Sequence, residues 1–281
     1  MLLRSLAFVL LAVAFSVSAQ TLDKIRKTGT LTLGYVDNAA PFAYRDGNNE
    51  PQGYSVDLCR AVADSIGEQL KRPNLKTRWV KLTLQNRIDA VRKGEVDVEC
   101  GTATWTLGRQ RLVDFSLITF VDGGSVLTRL EDEGMRRLSD FDGKRIAVIG
   151  GTTTERALRE GLTRALVQAE VVLVKSRDTG LDLLRKGEVN GFASDRTTLI
   201  GIVSQRATGD AFRLLDADFS VEQYALMLPR NDPDFRLAVN RGLARLYRSG
   251  DVQKVYDRWL GPLGPPSILL SATYFIQGLS E

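Results

Sequence analysis

The pentapeptide RKGEV occurs twice, at Arg92–Val96 and at Arg185–Val189, and the likeness extends beyond those five residues. The windows read DAVRKGEVDVECGT (Asp89–Thr102) and DLLRKGEVNGFASD (Asp182–Asp195). In each, an apolar pair leads through basic residues to Gly94 or Gly187, where a helix can stop because glycine takes the left-handed backbone conformation cheaply. A strand-like run follows, Val96–Cys100 or Val189–Ala193. One helix–turn–strand unit therefore appears twice, 93 residues apart. That spacing is too long for a solenoid repeat and suits two similar lobes.

The rest of the chain fits the same alternation. Thr21–Gly29 reads as a short helix and Thr30–Val36 as a strand. Tyr54–Leu70 then places Val56, Cys59, Val62, Ala63 and Ile66 on one helical face. A second round starts after Phe120–Ser125, with a strand at Arg145–Ile149 and a Gly-Thr-rich turn opening a helix. Strands alternating with helices imply α/β lobes, each built on a mainly parallel sheet. Pro233–Ser249 and Asp251–Leu260 read as closing helices, and the tail from Gly261, Pro-rich at first, has no role legible in its pattern.

Residues 1–19 stand apart from this fold. MLLRSLAFVLLAVAFSVSA carries an early Arg4, an apolar stretch and a small-residue end, the pattern of a secretory signal cleaved after Ala19. Its removal takes the formal charge from +4 to +3. The remaining acidic and basic residues are interspersed, which argues against nucleic acid as a partner. With no histidine in the chain, His-dependent triads and His-liganded metal sites are excluded. Two cysteines are too few for a thiolate zinc site, so neither a metal nor another cofactor is expected. In an oxidising compartment Cys59 and Cys100 are most simply a disulfide, with two buried thiols as the alternative.

Hydroxyls at Thr102, Thr104 and Thr106 cluster in a strand-to-helix turn, with Arg109 one turn further on. Hydroxyls, free backbone amides and a guanidinium together suit a carboxylate, because arginine can grip both oxygens. Gly151–Thr154 opens a helix and offers a second anion-binding terminus. Either feature alone reads equally as an ordinary helix cap. The second repeat ends at Asp195 where the first ends at Thr102, so facing lobes would put both at strand ends above one crevice. An ammonium group could sit between Thr102 and Asp195 while Arg109 and Thr153 hold a carboxylate, which describes a free α-amino acid.

On these residues the chain resembles the periplasmic solute-binding proteins of polar amino-acid ABC transporters, nearest the glutamate/aspartate-binding branch. GYSVDLCRAVADSI (Gly53–Ile66), ECGTATWTLGR (Glu99–Arg109), Phe115–Ser116, GGTTTE (Gly150–Glu155) and Asp195 match that family in order and spacing. The resemblance implies a two-lobed fold, with lobe 1 formed by residues 20–122 and 225–281 and lobe 2 by residues 123–224. It implies a monomer in the periplasm that hands its ligand to an inner-membrane ABC permease. Arg109, Thr104 and Thr153 would bind the α-carboxylate, Thr102 and Asp195 the α-amino group, and Phe42 would line the cleft. Arg87 matches an arginine that contacts the ligand in the acidic branch. Val36, Leu84 and Thr179 stand where that branch or its charged-ligand relatives carry polar or charged side chains. The balance leans to an acidic or amide side chain. An exported dehydratase using Glu99 or Glu155 as general acid is the alternative from another functional class. Trp105, beside the ligand turn, could face the cleft or simply pack.

Overall fold

The protein is described here by a computed structural model that covers residues 21–205 and 212–281. The expected secretory segment lies outside the described residues. Among those residues no helix is long and apolar enough to cross a membrane.

The first α/β run consists of α1 (Thr21–Thr28), β1 (Thr30–Val36), a small hairpin of β2 (Tyr44–Arg45) and β3 (Pro51–Gln52), and α2 (Tyr54–Gln69). It continues with β4 (Lys76–Leu82), α3 (Arg87–Arg92), β5 (Val98–Glu99) and α4 (Leu107–Gln110). The long β6 (Asp114–Arg129) then leads to a second run: β7 (Arg145–Ile149), α5 (Thr153–Arg164), β8 (Glu170–Val174), α6 (Arg177–Arg185), β9 (Gly191–Asp195) and α7 (Arg196–Gln205). β10 (Phe212–Leu214) and β11 (Ser220–Leu228) follow, and α8 (Pro233–Arg248), α9 (Asp251–Trp259) and α10 (Ile268–Gln277) close the chain. The duplicated unit is thus α3–β5 in one lobe and α6–β9 in the other. Gly94 and Gly187 end the two helices with φ of 68° and 70°, the left-handed turn their sequences require.

β1 pairs in parallel with β4 and β5 in the first lobe, and β7 with β8 and β9 in the second. Two antiparallel strands join these halves into one continuous path, β4-β1-β5-β11-β6-β9-β7-β8, with β10 on the side of β6. Two strands therefore cross between the lobes: β6 runs outward through Phe120–Ser125 and β11 returns through Glu222–Leu226.

Each lobe has its own core. Leu31, Leu33, Leu58, Val62, Ile66, Phe235 and Leu243 pack around β1, α2 and α8. Ile146, Val148, Leu158, Leu181, Phe192 and Leu199 do so around β7, β9 and their helices. Strands covered on both faces read as near-continuous apolar runs, which is why RIAVI is buried from Ile146 to Ile149. The tail is part of the first core. Leu270 and Tyr274 of α10 are buried, the Tyr274 hydroxyl bonds Tyr54 and donates to the Thr119 carbonyl at 3.2 Å, and Gln277 bonds both backbone groups of Ile118.

Cys59 of α2 and Cys100, just past β5, form a disulfide with a Cα–Cα distance of 6.1 Å. It ties the first long helix to the turn that carries Thr102 and Thr104. Closing a loop with a separation of 41 residues restricts the unfolded chain. The Cys59→Ala/Cys100→Ala double variant should lose about 4 kcal/mol of stability, read as a fall in Tm of roughly 10 °C. An unchanged Tm under oxidising conditions would contradict this.

Candidate functional site

The turns at the C-terminal strand ends of the two repeats face each other. After β5 the chain presents Thr102 and Thr104, each buried. Thr104 forms an isolated bridge to Tyr224 of β11, and the Trp105 N–H donates to the Gln223 carbonyl at 2.7 Å. From the second lobe come the N-terminus of α5 and the end of β9. Thr152 caps α5 by accepting from the Glu155 N–H, leaving the Thr153 and Thr154 hydroxyls free to point elsewhere. The Thr154 hydroxyl donates to Asp195 Oδ1 at 3.0 Å.

These turns enclose a cavity between the lobes. It is lined by Leu84, Arg87, Thr102 and Thr104 on one side and by Thr153, Arg177 and Asp195 on the other. The space open to the centre of a water molecule is about 20 Å³, enough for water and too little for an amino acid. The lobes are closed onto it. Thr104 Oγ1 and Thr153 Oγ1 lie 3.0 Å apart across the cleft, Asn38 Nδ2 donates to Asp178 at 2.6 Å, and Gln85 Nε2 donates to the Lys175 carbonyl at 3.2 Å. Gly201 of α7 lies so near the Ala40 carbonyl that a Cβ there would sit 2.1 Å from its oxygen.

Most of the residues singled out in the sequence meet here, and some do not. Thr102, Thr104, Thr153, Asp195, Arg87 and Leu84 share the cavity. Arg109 stands directly behind Thr104 and donates from Nη1 to its carbonyl oxygen at 2.8 Å. Phe42 is not on the cavity wall. It is fully buried in the first core, edge-on to Tyr54, Phe120 and Tyr224, because a ring at that position fills the space between α2 and the crossing strands. Val36 packs in a core cluster and borders a separate outer crevice of about 370 Å³. Thr179 is exposed and bonds the Ser176 cap of α6. Trp105 is 38% exposed.

Three charged residues escaped the sequence reading as parts of the site. Arg177, the first residue of α6, is 5% exposed and lines the cavity. Glu222 of β11 is 2% exposed and accepts from the Thr104 hydroxyl at 2.7 Å. Asp122 of β6 accepts from the Thr197 N–H and hydroxyl, the Gly123 N–H and the Tyr224 hydroxyl. Glu222 and Asp122 sit on alternating strand positions, where a charge ordinarily points to solvent. The first turn of α6 holds Arg177 beside Asp178, a charge pattern common on solvated helix surfaces. Only the meeting of β6, β11 and β9 at the lobe junction buries them.

Burial and crowding set the protonation of this cluster. Arg109 is drawn down to about 10 by burial and by Arg87, against the opposing pull of Glu222, Glu99 and Asp195. Glu222 is raised by burial and by Asp195. Glu99 is raised by burial in spite of Arg87, which approaches to 3.7 Å. Asp122 is pushed up to about 7 by burial and then by Asp195. No group of His, Cys, Asp and Glu among the described residues could hold a metal ion.

A carboxyl that titrates near 7 when folded and near 4 when unfolded favours the folded state in its protonated form. The contribution of Asp122 is therefore fully present below about pH 4 and is lost as pH rises through about 7. Asp122→Asn keeps an acceptor for Thr197 and Tyr224 but cannot ionise. The difference in Tm between variant and wild type should move in the variant's favour by several degrees between pH 5 and pH 8. A difference independent of pH would show that Asp122 does not titrate in this range.

The chain matches the bacterial extracellular solute-binding proteins, family 3, over residues 31–262. It is 34% identical over 250 residues to an L-glutamate/L-aspartate-binding protein of Pseudomonas aeruginosa, covering 88% of this chain and 82% of that one. To a glutamate/aspartate import solute-binding protein of Salmonella typhimurium it is 30% identical over 252 residues, covering 90% and 83%. An ABC uptake transporter substrate binding protein from Streptococcus pneumoniae, solved with bound histidine, has the same fold. Its TM-score is 0.76 at 18% identity, over 87% of this chain and 97% of that chain. Sequence and fold agree: the chain belongs to family 3 of the bacterial extracellular solute-binding proteins.

Proposed function

We propose that this protein captures a free α-amino acid with an acidic or amide side chain in the periplasm and delivers it to an inner-membrane ABC permease. The observation that carries this reading is the single cavity at which Thr102, Thr104 and Arg87 of one lobe meet Thr153 and Asp195 of the other. The family relatives named for glutamate and aspartate support it. On this reading residues 1–19 are a cleaved secretory signal, and the protein works as a monomer. Lobe 1 spans residues 20–122 and 225–281 and lobe 2 residues 123–224, with ligand capture completed by rotation about the two crossing strands.

The α-carboxylate would enter between the Thr104 and Thr153 hydroxyls, replacing their direct contact, with the Arg109 guanidinium turning to it from the Thr104 carbonyl. The α-ammonium would lie between Thr102 and Asp195, whose carboxylate would be its counter-ion. The exported-dehydratase alternative would draw its general acid from Glu99 or Glu155. Neither lines the cavity, and Glu155 is held by the Gly151 N–H and by Arg159.

Removing one partner of a buried ion pair leaves the other uncompensated, at a cost of about 3–5 kcal/mol. Calorimetry on Arg109→Ala should show amino-acid binding weakened at least ~100-fold with the fold retained, and near-native affinity would refute the placement of the carboxylate. The acids at the cleft mouth are already engaged: Asp37 holds Arg45 at 2.7 Å and Lys81 at 3.0 Å, and Asp178 accepts from Asn38 at 2.6 Å. Competition with lysine and arginine should therefore fail at concentrations where glutamate or glutamine competes. Tight arginine binding would show the pocket to be misread.

A further inference from the structure

Two buried arginines, one from each lobe, line the closed cavity. Arg87 opens α3 in one lobe and Arg177 opens α6 in the other, and both line the same cavity beside Leu84. They are 4% and 5% exposed. Arg87 Nη1 and Arg177 Nε have no hydrogen-bond partner among the described residues. Burial draws the Arg177 guanidinium below its ordinary range, Asp195 opposes that pull and Arg87 adds to it; like charges buried with unpaired N–H groups are costly. The neighbouring Glu99 does not resolve this: it stays 3.7 Å from Arg87, and neither of its oxygens accepts a hydrogen bond. Such a pair calls for an anion that reaches both.

The ligand supplies one only if its side chain ends in a carboxylate. We propose that Arg177, acting with Arg87 from the opposite lobe, clamps the side-chain carboxylate of the ligand, so that the site selects acidic amino acids over their amides. This rests on the amino-acid reading given above and narrows it. The positions expected to read the side chain, Val36 and Thr179, carry no charge. Arg177 stands two residues before Thr179 on the same helical turn and brings a cation to the cavity from there. An amide offers one oxygen and turns an N–H₂ donor toward groups that are themselves donors. Access suits an anion as well. Arg177 and Leu84 also border the outer crevice, where Arg45, Lys81, Lys175 and Arg177 outnumber Asp37 and Asp178. A cationic mouth raises the local concentration of an anionic ligand.

The test is calorimetry with glutamate, aspartate, glutamine and asparagine on the wild type, Arg177→Met and Arg177→Lys. The wild type should bind glutamate or aspartate about 100-fold more tightly than the matching amide, the two acids showing which chain length reaches the clamp. Arg177→Met should lose that preference by weakening the acids about 100-fold while leaving the amides within about threefold, and Arg177→Lys should fall between. The ligand-free Arg177→Met protein should melt at or above the wild-type temperature, since it sheds a buried cation whose Nε has no hydrogen-bond partner among the described residues. Equal losses for acid and amide with a lowered melting temperature would make Arg177 structural and overturn the proposal. Unchanged acid preference in the variants would overturn it too. A wild type that prefers neutral ligands overturns the clamp and leaves amino-acid capture standing, whereas one that binds no α-amino acid overturns both.

Discussion

The antiparallel pairing of β6 with β11 is the interaction on which the rest of the molecule depends. It is what makes two parallel half-sheets into one path, and it passes the chain between the lobes in both directions. Because these strands meet β5 on one side and β9 on the other, the ends of both repeats converge on the same crossing. The consequence is chemical as well as architectural. Asp122 and Glu222 lie on the crossing strands, Thr102 and Thr104 follow β5, and Asp195 ends β9. A junction between lobes thus becomes a shared, water-poor pocket of charges. In such surroundings hydrogen bonds and ion pairs are stronger, and groups without partners are correspondingly expensive.

That expense is visible in the charge cluster. Arg87, Arg109 and Arg177 face Glu99, Asp122, Asp195 and Glu222, yet the pairing is incomplete. Glu99 accepts no hydrogen bond, and two guanidinium nitrogens have no acceptor among the described residues. A structural core would be expected to replace such groups with apolar ones, which is often neutral or stabilising. Their retention at a cleft that closes over a cavity fits a site whose charges are balanced by what binds there rather than by the protein itself. The same logic explains the Thr104–Thr153 contact, where two hydroxyls satisfy one another across the cleft while Glu222 takes up the remaining capacity of Thr104.

Much of this was legible in the sequence because it lies in local patterns. The twin RKGEV windows gave the repeated unit, and the helix-ending glycines gave its turns. The Thr102–Arg109 stretch and Asp195 are adjacent to strand ends that the repeat itself marks, so their convergence followed from the duplication. Cys59 and Cys100 were readable from their number and compartment. What remained hidden depends on tertiary burial. Arg177 follows a serine cap in a helix whose first turn looks solvated, and nothing local shows that the opposite lobe covers it. Glu222 and Asp122 occupy alternating strand positions whose outward face turns inward only at the crossing. Phe42, expected on the cleft, belongs to an aromatic cluster with Tyr54, Phe120 and Tyr224 that exists only once α2 and both crossing strands have come together.

The tail adds a mechanical consequence. Gln277 bonds both the N–H and the carbonyl of Ile118, the Tyr247 hydroxyl reaches the same carbonyl at 2.9 Å, and Tyr54 and Tyr274 share the Thr119 carbonyl. β6 is thereby clamped to the first lobe up to Thr119, immediately before it crosses. Opposite, β11 shifts register between Tyr224 and Ala225, where its regular pairing is already interrupted. In the rotation proposed above, bending would be confined to a few residues beyond a fixed fulcrum, and each lobe would move as a rigid arm. A rotation too small to disturb the buried tyrosines is then magnified with distance from the pivot, so the rim contact of Asn38 with Asp178 would part well before the threonines deep in the cleft.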